Sequence, residues 1–89
     1  MSEEEIRLLE SRIEETLMKM FSTPLLNLQQ LKQALNYSST AAIRQSIMRG
    51  SFPIPHFQLK GRREHFVLVS DVAKYLAAQA ITKGGDECE

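Results

Sequence analysis

Residues 50–55 read Gly-Ser-Phe-Pro-Ile-Pro, and neither a helix nor a central strand can run through them. Two prolines at alternate positions remove two backbone donors and fix two φ angles, so the segment is an extended connector. It divides the chain into a part with helical periodicity before it and a part with strand-like alternation after it. With 89 residues in all, both parts must share one small core.

Before the connector the sequence predicts three helices. Ser2 and Glu5 fit a capping box, and Glu3, Glu4 and Glu5 complement the positive end of a helix. Ile6, Leu9, Ile13, Leu17 and Met20 recur at spacings of three and four, giving an amphipathic helix that ends near Phe21. Ser22-Thr23-Pro24 breaks it. The stripe packs either on the rest of the domain or against a second copy, and Met18, Met20 and Phe21 suit either contact better than a cofactor pocket. If it pairs two copies, deleting residues 1–21 leaves a folded, weakly binding monomer. Asn27 is placed to cap a second helix over 28–35, with Leu28, Leu31 and Leu35 on one face. Asn36-Tyr37-Ser38-Ser39 forms a turn in which Asn36 tolerates the left-handed conformation. Ser38 or Ser39 caps a third helix over 40–49, with Ile43 and Ile47 inward and Gly50 as its stop.

After the connector, residues 56–60 alternate as a half-buried strand does, Gly61-Arg62 makes a tight turn, and residues 63–68 return. Ser70-Asp71 caps a last helix over 72–80 that buries Val72, Leu76 and Tyr75. The expected organisation is an N-terminal amphipathic helix (1–21), a winged helix-turn-helix domain (22–81) and a disordered tail (82–89). The fold class is α+β, mainly α, with a two-stranded hairpin as the wing.

Net charge is zero, yet the charges are segregated. Residues 1–21 hold three basic against six acidic residues, 22–69 hold six against one, and 70–89 hold two against four. A basic module between acidic flanks sets a local field suited to a polyanion. Two short helices joined by a four-residue turn form a helix-turn-helix, whose second helix enters the major groove. That helix offers Ser39, Thr40, Arg44, Gln45 and Met48 on the face opposite Ile43 and Ile47. Arg and Gln are the long donors suited to guanine and adenine edges. Lys60, Arg62 and Arg63 then surround one glycine turn, where a phosphate backbone would relieve their mutual repulsion. The alternative for both features is a solvated surface, with Glu64 balancing the turn.

Other chemistries find little support. His56 and His65 lie on opposite hairpin strands without the companions a zinc site needs. No nucleophile, base and orienting group form a constellation, and no phosphate-binding glycine loop occurs, so neither an enzyme nor a metal or other cofactor is expected. The lone Cys88 cannot form an internal disulfide and is read as incidental. No apolar run of membrane-spanning length is present, and the acidic start lacks the apolar region of a secretory signal, which points to the cytoplasm.

The order Asn36-Tyr37-Ser38-Ser39, Arg49-Gly50-Ser51-Phe52-Pro53, Gly61-Arg62-Arg63 and Ser70-Asp71-Val72 with Tyr75-Leu76 resembles small winged-helix proteins of phages, prophages and integrative elements. These include the AlpA-type regulators, the excisionases, the pyocin-activator group and, more distantly, the MerR-type DNA-binding domains. The resemblance covers Leu26 to Leu76. Against the commonest AlpA-like pattern, two segments are one residue longer and Phe66 stands where tryptophan is usual. The resemblance implies double-stranded DNA as partner, with Thr40, Arg44 and Gln45 reading bases and Lys60, Arg62 and Arg63 holding backbone. It implies a sequence-specific transcriptional regulator of a mobile element, with RNA polymerase or an integrase as a further partner; because one small module makes few contacts, tight specific binding is expected to need a homodimer or cooperative oligomer. The alternatives are an excisionase on attachment-site DNA and a protein-binding adaptor using the acidic first helix.

Overall fold

The computed structural model describes residues 2–86. Along the chain it comprises α1 (Glu3–Phe21), β1 (Leu25–Asn27), α2 (Leu28–Leu35), α3 (Thr40–Arg49), β2 (Phe57–Gln58), β3 (His65–Leu68) and α4 (Val69–Asp86). The class is α+β and mainly helical: four helices with an antiparallel sheet in the order β1-β3-β2, consistent with a winged-helix fold.

The helix boundaries follow from local chemistry. Ser2 and Glu5 form the expected capping box on α1. The hydrogen bond from the Ser2 amide holds the Glu5 carboxyl below its usual range. That contribution is present above the ordinary carboxylate pKa and fades as pH falls through the lowered folded value. Asn27 caps α2 reciprocally: its Oδ1 accepts from the Gln30 amide at 2.9 Å, and Gln30 Oε1 accepts from the Asn27 amide at 3.1 Å. Asn36 ends α2 at φ 58, and Ser39 Oγ caps α3 by accepting from the Ala42 amide.

Gly50 ends α3 at φ 74, with Ser51 N–H donating to Ser46 O at 2.9 Å across the turn. This six-to-one bond is the mark of a Schellman ending, where glycine avoids the Cβ penalty. A Cβ at Gly50 would meet nothing within 4 Å, so only the backbone opposes a side chain there. Gly50→Ala is expected to cost about 1–2 kcal/mol, lowering the melting temperature by about 4–8 °C for each kcal/mol. Gly50→Asn should lose less. A thermal melt in which the alanine variant matched the parent would remove this account of the cap.

One core draws on every layer. Leu17 of α1, Leu26 of β1, Leu28 and Leu31 of α2, Ile43 of α3, Val67 of β3, and Val69 and Val72 of α4 are all buried. Ile54, between the two prolines, is 1% exposed and joins them, so the connector is also a core strut.

Several expectations need correction. The sheet has a third strand. Residues 25–27 pair with β3 in the register Leu25↔Leu68, Leu26↔Val67 and Asn27↔Phe66. Three residues are too few for alternation to show in a sequence. The strand expected over 56–60 is reduced to Phe57–Gln58, both exposed. The ladder stops at Gln58↔His65, where the Gln58 side-chain amide instead donates to the Arg63 carbonyl. The last helix begins at Val69, not Val72, because β3 runs directly into it and Val69 N–H donates to Pro24 O at 2.8 Å. Asp71 therefore lies in the first turn, and the Ser70-Asp71 pair does not precede the helix. The helix backbone also continues to Asp86, past the expected Ala80, since Ala77 to Lys83 contain no breaker. The expected tail at 82–89 thus starts within α4, and Glu87–Glu89, including Cys88, lie outside the described residues.

Part of the stripe on α1 packs inside the chain. Leu17 is buried, Ile13 and Phe21 pack on the core, and Ile13, Thr16 and Leu17 share an apolar depression with Leu76 of α4. Ile6 and Leu9 are half-buried, and of the five residues expected to pair two copies Met20 alone is exposed. Leu17 cannot meet a second copy unless α1 leaves α4. Among the described residues no helix is long and apolar enough to cross a membrane.

Candidate nucleic-acid interface

The turn at 36–39 places α3 across α2, with Ile43 at 0% exposure holding its inner face. The 3.6-residue period then turns Arg44, Gln45 and Met48 outward. All three are exposed, and Met48 reaches 86%. An unpaired methionine so exposed has no packing role, whereas an apolar side chain on a groove-facing helix can meet a thymine methyl. Ser39 has a different first task, since its hydroxyl caps α3.

Lys60, Arg62 and Arg63 sit in the loop between β2 and β3, where Gly61 adopts φ 78 and Arg62 N–H donates to Leu59 O at 2.9 Å. The three cations are not equivalent. Arg62 Nη2 lies 2.8 Å from Glu64 Oε1, and its guanidinium stands 5.2 Å over the Phe66 ring. The ion pair is solvated, so it orients Arg62 more than it stabilises the fold. The expectation that Glu64 balances the turn holds for Arg62 alone.

Thr40 and Arg44 are four apart and so share one side of α3. On that side a cleft of about 340 Å³ opens between α3, the first turn of α2 and the wing. Thr40, Arg44 and Arg63 line it together, with Gln29 of α2 opposite. Ser39, Gln45, Met48, Lys60 and Arg62 do not line it. The cleft thus joins one residue set expected to read bases with another expected to hold backbone. Gln29 escaped the sequence reading. Its only signal was position: it follows the cap Asn27 in a first turn that holds no acidic residue.

His56 and His65 do face each other, ring centroids 5.5 Å apart and tilted by 76°. They continue a row of rings from Tyr37 through Phe52. His65 Nδ1 is buried without a hydrogen-bond partner. No third His, Cys, Asp or Glu joins them in a metal-holding group among the described residues.

A family model described as "Pyocin activator protein PrtN" matches residues 14–82. No curated protein and no solved structure matches the chain. The match begins in the second half of α1 and takes in α2, α3, the wing and most of α4. Among the groups the sequence resembles, it is therefore the pyocin-activator group that is matched, and nothing favours the AlpA-type or excisionase groups. With well over half its length matched, the chain belongs to the pyocin activator family, a phage-associated family of regulators.

Proposed function

We propose that this chain is a DNA-binding activator of transcription for phage-derived genes, a binding module rather than an enzyme. In this reading α2 and α3 form a helix-turn-helix, α3 lies in the major groove, and the β2–β3 loop rests on the flanking backbone as a wing. The observation that carries it is the cleft joining Arg44 of α3 to Arg63 of the wing, beside the outward face of Gln45 and Met48. Segregated charge supports it: the acidic residues concentrate at the two ends, leaving the helix-turn-helix and wing basic despite zero net charge. One such module makes few contacts, so specific binding uses two or more copies on adjacent sites. The buried state of Leu17 favours copies that meet through DNA over copies paired along α1.

The experiment is selection of bound fragments from the host genome by purified protein at near-physiological salt. Enrichment of a few fragments at promoters of phage-derived gene clusters is the expected result. Enrichment at attachment sites would instead make it an excision factor. A folded sample that enriched nothing would reject DNA recognition and turn attention to protein partners of the acidic helix.

A further inference from the structure

The cleft between α2, α3 and the wing has the chemistry of a seat for one anion. We propose that it holds a single phosphodiester of the DNA backbone, gripped by both Arg44 and Arg63. Arg44 is then a register-setting phosphate contact rather than a base reader. The inference rests on the DNA-binding reading above and reassigns one residue within it.

Three observations carry it. First, Arg44 lines the cleft together with Arg63 of the wing, while its exposed neighbours Gln45 and Met48 do not. Secondly, the cations in the cleft are unspent. Among the described residues neither Arg44 nor Arg63 forms a salt bridge, and the one carboxylate in the lining, Glu64, is held by Arg62. Two like charges lining one cleft, neither paired with a carboxylate, favour an anion between them, and arginine suits a phosphate bidentately. Thirdly, every lining residue except Leu28 brings a polar or charged group to the cleft. Thr40 can add a hydroxyl donor, and the first turn of α2 directs its positive end to the same place. A phosphate fixed there couples the angle of α3 to the position of the wing. Gln45 and Met48 are left to meet base edges.

The test uses the full chain, a duplex it selects and a random-sequence duplex, with binding followed by fluorescence anisotropy across a salt series. Arg44→Ala and Arg63→Ala should each weaken both duplexes alike, on the order of tenfold. Because they share one phosphate, the double variant should flatten the plot of log affinity against log salt by about 0.9, not twice that. On the wild-type protein, replacing backbone phosphates one at a time by uncharged methylphosphonates should find one position per bound copy that matters as much. At that position the arginine variants should lose nothing more. This arm also stands if a variant proves less stable. Arg44→Ala that left the salt slope and random-sequence binding intact, yet erased preference for the selected duplex, would make Arg44 a base reader. A slope change near 1.8 in the double variant would mean two separate phosphates and overturn the shared seat. Either result leaves DNA binding standing. A wild-type chain that bound neither duplex would overturn both readings.

Discussion

A chain shortened to begin at Ser22 will lose its cooperative thermal transition. Leu17 is 5% exposed and lies in the same core cluster as Val69 and Val72, with Ile13 and Phe21 packed beside it. Burial of one such leucine contributes about 1.5–3 kcal/mol, and the deletion removes three apolar contacts at once while baring the α4 face they cover. A domain of this length holds only about 4–13 kcal/mol in total, by the usual 0.05–0.15 kcal/mol per residue. The loss is of the same order as the whole. Leu17→Ala tests the idea with less violence. A cavity at this site costs about 2–5 kcal/mol, and each kcal/mol lowers the melting temperature by about 4–8 °C. Circular dichroism melts of both variants read the effect. A shortened chain that melted at the parent's temperature would show α1 to be an appendage, as a purely intermolecular helix would be.

That prediction reverses the one that holds if α1 serves only to pair two copies. Spacing fixes which residues of α1 form a stripe, but the stripe reads the same whether α4 or a second copy covers it. Caps and stops carry more information, because their partners are local. Ser2 with Glu5, Asn27 with Gln30, Asn36, Ser39 and Gly50 all act within five residues of themselves, and all occupy the places their chemistry dictates. Where the deciding contact is distant, legibility fails. Residues 25–27 are a strand only because Leu68, Val67 and Phe66 lie across from them. Ile54 is a core residue only because it packs into the cluster that holds Leu31 and Ile43, far from it in sequence. The same division governs the candidate interface. The outward face of α3 follows from periodicity, so Gln45 and Met48 were visible. That Arg44 shares a cleft with Arg63 depends on how the hairpin packs, and no spacing encodes that. Arg62 shows a third case, in which a neighbour two positions away, Glu64, holds the charge that composition alone would count as free.

The change with the largest expected effect on binding and the least on the fold is Met48→Glu. Met48 is 86% exposed on the outer face of α3, opposite Ile43, and a glutamate there buries nothing, breaks no contact and keeps good helix propensity. Surface changes of this kind leave stability within about 0.5 kcal/mol. If α3 lies in the major groove, the new carboxylate is carried into the most negative environment the protein meets. Like charges set face to face across an interface cost several kcal/mol, so affinity for a selected duplex should fall on the order of a hundredfold or more. Met48→Gln, which has similar length and no charge, should lose far less, separating charge from shape. The pair also separates two roles for the fold. A scaffold that only displays the acidic α1 to a protein partner would not register either change at α3. Anisotropy with the selected duplex, alongside a melt to verify the fold, decides between them. A Met48→Glu variant that bound DNA as tightly as its parent would move the recognition surface off α3, and with it the winged-helix mode of DNA binding proposed for this chain.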